Sequence, residues 1–349
     1  MKKKSKMLFM MVLLWMWILM AFNYTRADYG MYIQLYQKYS TSSILYDAEI
    51  LFQLLCRFGG ILKFDYKTFY ALYSILPILI SGLAIKKTTK NVSIVAACFL
   101  IFPFAIDAAQ MRHFLAVSLV TYGATFILVS DKKIDMIKFI ICNLIAIGFH
   151  YSSAFFLLLI FAKKLNETTI KRLLKVLLVV EVLMISSNKV IPLLGDLIPI
   201  RKLNAYFVSS RWRIELVDVF VVSFFQIMIF PIIYFAKHIY NVNCKETSDP
   251  NYENNIRILN TVIKFDYIML FLLPAYFYNM ELMRIFRGTL LLNYIGISIA
   301  FYHKNIKNNV LVFGDIVGCS LIYCYFLIIH TGTIGTTILD LLKRNTLIG

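Results

Sequence analysis

The sequence predicts an all-α, polytopic membrane protein with about eleven transmembrane helices, each needing about 20 apolar residues. Three observations carry that prediction. Hydrophobic residues make up 60% of the 349 and charged ones only 16%. Apolar runs near bilayer length recur along the chain, and basic residues sit in the short turns between them. A soluble domain carries about 25% charged residues, so no water-soluble core is expected.

The chain opens with Lys2 to Lys6 and an apolar run, 7–23. A signal peptide begins this way, but the run is long and no small-residue cleavage site follows it. An uncleaved helix with a cytoplasmic N-terminus is expected. A tyrosine-rich outer loop, 24–67, comes next, in which 48–63 can enter the membrane without crossing. Further spans are expected at 68–85, 91–110, 113–130, 137–150, a short 152–163, 173–188, 216–236, 258–278, 285–302 and 310–330. An outer loop lies at 189–215. The polar stretch 237–257 reads as a mobile cytoplasmic linker between two helical halves. Residues 1–349 form one integral membrane domain without a convincing internal repeat.

With the N-terminus inside, the basic turns fall on one side, as the positive-inside rule requires. They are Lys86, Lys87 and Lys90; Lys132, Lys133 and Lys138; Lys163, Lys164, Lys171, Arg172 and Lys175; and Lys304 and Lys307. This accounts for much of the net charge of +17 and removes the argument for nucleic acid. Arg112, His150, Arg211, Arg213, Arg284 and Arg287 then lie on the outer side. Cations retained there are out of place by default, so an anionic partner is expected. The six cysteines show no metal or redox spacing, and no nucleotide, zinc-protease or serine-hydrolase motif occurs. No metal and no cofactor are expected.

Arg284 and Arg287, in MELMRIFRG, are three apart and share a helical face. Guanidinium forks suit phosphate oxygens, and several around a diphosphate stabilise it as a leaving group. Alternatively Glu281 pairs with one of them. Arg211 and Arg213, in SSRWRIELVD, offer the same chemistry. Arg112, in AAQMRHFLAVSL, either joins them or anchors its helix at the interface. Asp107 is a candidate partner of Arg112, at an imperfect helical spacing.

His150, in GFHYSSAFFLL, is open to three roles: general base, hydrogen-bond donor to substrate, or packing. Asp28, Asp47 and Glu49 lie among Tyr24, Tyr29, Tyr32, Tyr36, Tyr39 and Tyr46. Such tyrosines form the aromatic belt of any membrane protein. Carboxylates beside aromatic faces also hold sugars, which makes Asp28, Tyr32, Tyr36 and Glu281 candidate sugar contacts. Asp47 or Glu49, like His150, can deprotonate an acceptor hydroxyl. Glu181 is an acid inside an expected span, with no assigned role.

Several strings, taken in order, carry a resemblance. They are DYGMYIQLY from Asp28, YDAEILFQLL from Tyr46, RHFLAVSL from Arg112 with Ala116 four residues on, a lysine-rich turn, and IAIGFHYSSAFFLL from Ile145. Together they resemble the EpsG-like branch of the Wzy-type polysaccharide polymerases, most closely over 24–165. The later half is similar in layout, through an arginine-bearing outer turn before a late helix. The resemblance implies a GT-C-like, metal-independent glycosyltransferase of the cytoplasmic membrane. It would join repeat units of O-antigen, capsule or exopolysaccharide. The step implied is transfer of a glycan from polyprenyl diphosphate, such as undecaprenyl diphosphate, to the sugar of another lipid-linked unit at the outer face. Arg112, His150 and Glu49 are the positions carried over. The implied partners are polyprenyl-diphosphate-linked glycans, membrane lipid, a chain-length regulator and a flippase.

A transporter of lipid-linked glycans is the main rival reading. Transporters usually show internal repeats and midplane charges, whereas these arginines gather at one face. Another polyprenyl-phosphate-dependent glycosyltransferase or ligase would share the arginines.

Overall fold

The computed structural model describes residues 3–24, 28–42, 49–186, 216–245, 250–277, 282–302, 314, 317–318 and 344–348. Helix accounts for nearly all of them, and no strand occurs among them. The order is α1 Lys3–Ala21, α2 Tyr29–Thr41, α3 Ile50–Ile61, α4 Tyr66–Thr88, α5 Val92–Ile101, α6 Phe104–Ala109, α7 Met111–Val129 and α8 Lys133–Phe149. A 3₁₀ stretch, Tyr151–Ile160, leads through α9 Phe161–Lys164 to α10 Glu167–Ser186. Then come α11 Leu216–Lys245, α12 Tyr252–Met269, 3₁₀ turns Leu270–Leu272 and Pro274–Phe277, α13 Met283–Arg287, α14 Leu290–Ser298 and a 3₁₀ end, Ile299–Tyr302.

Four described helices are long and apolar enough to cross a membrane: Tyr66–Thr88, Met111–Val129, Val219–Val242 and Tyr252–Tyr276. Lys6–Ala21, Ile50–Ile61 and Val92–Ile101 are apolar but shorter. The chain is a multi-pass helical membrane protein, and the count of about eleven spans is not confirmed.

Several expected spans differ for local reasons. The run 91–110 is two helices, because Pro103 lacks the N–H that would continue α5. Residues 151–160 wind as a 3₁₀ helix, and 285–302 is divided at Gly288 and Thr289. The linker 237–257 is mostly helix, since α11 continues to Lys245 and α12 starts at Tyr252. At 12 residues, α3 is about 18 Å long and cannot cross a hydrocarbon core of about 30 Å. The expected span 310–330 lies largely outside the described residues.

The core is built around α7, which has buried residues on every side along most of its length. Small groups bring its neighbours close, as interfaces between apolar helices require. A Cβ on Gly123 would stand 2.7 Å from Cys142 Cβ of α8, and one on Gly148 would stand 2.6 Å from Leu51 of α3. Ser81 of α4 and Ser118 of α7 share a hydroxyl hydrogen bond of 2.9 Å inside the core.

The α7–α8 hairpin has two chemically different ends. At its turn, Asp131 accepts from Lys163 at 2.5 Å and from Arg257 at 3.4 Å. The Lys163 bond holds the Asp131 carboxyl below the usual carboxylate range. Lys138 pairs with Asp135 at 2.8 Å, and Lys264 donates to the carbonyls of Ala162 and Leu165. Basic turns that are distant in sequence therefore meet here. The other end, about 28 Å away along the 19 residues of α7, brings Arg112 and His150 together.

Candidate functional site

Glu49 precedes α3 in the left-handed region, at φ 57°. For a residue with a Cβ this costs about 1–3 kcal/mol and persists only where surroundings impose it. Its carboxylate does not cap α3; it is buried, and both oxygens are engaged elsewhere. Oε2 accepts from the Arg112 guanidinium, and Oε1 meets His150 Nδ1 at 2.8 Å. Arg112 enters from the first turn of α7, with its guanidinium carbon 5.4 Å from the Tyr32 ring centre and 5.5 Å from that of Phe52. Cations favour such aromatic faces, so ion pair and rings together fix the group.

A carboxylate can only accept, so the His150 proton facing Glu49 sits on Nδ1. The neutral ring then keeps its lone pair on Nε2. That atom is buried and has no hydrogen-bond partner among the described residues. An imidazole fixed this way by a carboxylate is arranged as a general base, because the acid sets the tautomer and stabilises the charge formed on proton uptake.

His113, one residue after Arg112, points to a different side of α7 and meets the His150 ring edge to face, with centroids 5.4 Å apart. Its Nε2 lies 3.1 Å from the Arg284 carbonyl and its Nδ1 3.4 Å from Ser152 Oγ. The half-buried Arg284 opens α13, and its charge acts on both imidazoles. Arg287, one turn on, points inward: Nε donates to Asp107 Oδ1 at 2.9 Å and Nη2 to Gln110 Oε1 at 2.5 Å. Both members of that ion pair are 2% exposed.

Glu49, Arg112, His150 and Tyr32 thus form one cluster, with Arg284 beside it. The expected pairing of Asp107 with Arg112 is corrected. Asp107 is bound by Arg287 across 180 residues of sequence, and Glu49 takes Arg112. Arg287 and Arg284 do not present one shared face to a ligand, since Arg287 is spent on Asp107 and Gln110. Tyr36 donates its hydroxyl to the Phe64 carbonyl at 2.7 Å and stacks on Phe69, contacts that belong to packing. Asp28 flanks the start of α2 without a capping side-chain bond. Asp47, Arg211, Arg213 and Glu281 lie outside the described residues, as does the side chain of Glu181. Gln110, His113 and Ser152 carry contacts that the sequence reading missed. Adjacency to Arg112 and His150 was the available signal, but which neighbour turns inward depends on helix rotation.

These elements define a multi-pass, all-helical membrane protein with a buried acid–arginine–histidine cluster at one end of its helices. The chain matches the EpsG family model over residues 6–339 and belongs to that family. Membership points to polysaccharide biosynthesis and a glycosyltransferase-like polymerase. No curated protein and no solved structure matches the chain.

Proposed function

We propose that the protein polymerises lipid-linked oligosaccharide repeat units at the outer face of the cytoplasmic membrane. It moves the glycan of one polyprenyl diphosphate to a sugar hydroxyl of another lipid-linked unit. The observation that carries this reading is the bond from His150 Nδ1 to Glu49, which leaves a buried Nε2 lone pair near Arg284. Family membership supplies the substrate class. The outer face is supported by the gathering of basic turns at the opposite end of the helices.

In this mechanism His150 Nε2 takes the proton of the acceptor hydroxyl as its oxygen attacks the anomeric carbon. The bond from that carbon to the diphosphate oxygen breaks, and the electron pair leaves with the diphosphate. Arg284 stabilises the departing charge, which acts on the rate because it is positioned beforehand. Glu49 steadies the imidazolium, and Arg112 holds Glu49. A positioned base contributes about 10²–10⁴ in rate. Arg287 braces α13 from inside through Asp107. No external energy source is required, because the donor carries its own leaving group.

Removing the gene tests the reading. Cells that retain a surface glycan of one repeat unit and lose the ladder of longer products support polymerisation. Loss of even the single unit from the surface supports transport, since a missing flippase delivers none.

A further inference from the structure

We infer that His113 is a positioning residue that ties the diphosphate-side arginine, Arg284, to the base, His150. The inference rests on the polymerase reading above. Its ground is an imidazole with 2% exposure whose two nitrogens both meet groups flanking the reacting centre. Nε2 lies 3.1 Å from the Arg284 carbonyl and can only donate there, because a carbonyl accepts. The neutral ring then offers Nδ1 as acceptor to the Ser152 hydroxyl at 3.4 Å, two residues after His150. One tautomer satisfies both contacts.

The topology gives this side chain a purpose beyond packing. Arg284 and His150 belong to elements that are far apart in sequence and share no helix. His113 is carried on α7, and Ser152 on the 3₁₀ stretch that His150 leads into. His113 also lies edge to face against His150, so the one ring contacts both halves of the proposed site. Distance decides transfer rates steeply, and a misplacement of about 1 Å can cost about 10²-fold. A ring that fixes the start of α13 relative to His150 therefore acts on catalysis without touching substrate. Gln110 and Asp107, which hold Arg287, brace the same turn from its buried side.

A double-mutant cycle decides the matter, read as initial polymer formation in membranes from cells making the full-length protein at matched levels. His113→Leu and Arg284→Ala are each expected to slow polymer formation by about tenfold or more, and the double variant to be no slower than the worse single one. His113→Gln keeps an N–H donor and an acceptor on a neutral side chain and is expected to retain at least about a third of the rate. Multiplicative losses in the double variant, or a His113→Gln variant as slow as His113→Leu, would overturn the positioning role. Farnesyl diphosphate binding to the purified full-length protein supplies the second readout. The His113→Leu variant is expected to bind it more weakly and His113→Gln to bind nearly as wild type. A wild-type protein that forms polymer but ignores this probe contradicts the assignment of Arg284 to diphosphate, and with it this inference. Membranes that form no polymer with any variant or with wild type contradict the polymerase reading itself.

Discussion

At the turn between α7 and α8, Asp131 is 65% exposed where it meets Lys163 and Arg257. At the far end of the same hairpin, Glu49, Asp107 and Arg287 are at most 5% exposed, and each is bonded to a charged partner. Exposed pairs contribute about 0–1 kcal/mol, whereas buried charges lose much of their hydration and often gain no net stability from pairing. The exposed end resembles the cytoplasmic turns of any membrane protein. The buried end keeps charges in a costly place, next to a left-handed glutamate and a histidine with an open nitrogen. The difference is why the proposed chemistry is assigned to the end where charge is hardest to hold.

The largest expected effect breaks the buried end. Glu49→Gln removes the charge that orients His150 and holds Arg112, and polymer formation is expected to fall about 10²-fold or more, with protein still inserted in the membrane. Near-normal product would remove Glu49 from the site. Arg287→Ala strands Asp107 without its partner and is expected to destabilise the protein by about 3–5 kcal/mol, read as thermal unfolding in detergent. Combining Asp107→Leu with Arg287→Met should recover most of that loss, because an apolar pair needs no compensation. A double variant as unstable as the single one would show that the pair itself is indispensable.

Much of the helical layout was legible in the sequence. Hydrophobic runs and basic turns indicate helices directly, and α1, α4, α7 and α8 lie close to where their apolar runs predict. The breaks were less legible. Pro103 is visible, but no residue pattern marks the 3₁₀ winding of 151–160. In the site, Arg112, His150 and Glu49 could be named from their strings, yet their mutual contacts could not. Glu49 reaches Arg112 across 63 residues and Arg287 reaches Asp107 across 180, and no local pattern encodes such pairings. Nearness in sequence suggests pairing Asp107 with Arg112, whereas the fold gives Asp107 to Arg287 and Arg112 to Glu49.

Smaller effects sharpen the comparison. Arg284→Lys keeps the charge but loses the fork, and about a tenfold slower polymerisation is expected; unchanged activity would reduce Arg284 to an anchor. Asp131→Ala, at the exposed end, should alter stability by no more than about 1 kcal/mol and leave product length unchanged. The Asp131 carboxyl is held low by Lys163, so its small stabilisation is present above the ordinary aspartate value of about 3.9 and fades as pH falls through its lower folded value. A thermal scan of wild type and Asp131→Ala from neutral pH into that acid range reads the effect: the two are expected to differ at neutral pH and to converge in acid, and a difference that grows as pH falls would contradict the assigned sign.

The most direct measurement is the surface glycan of cells whose only copy carries His150→Gln, made at wild-type level. The account predicts single repeat units at the surface without the ladder of longer chains. A full ladder would contradict His150 as the base.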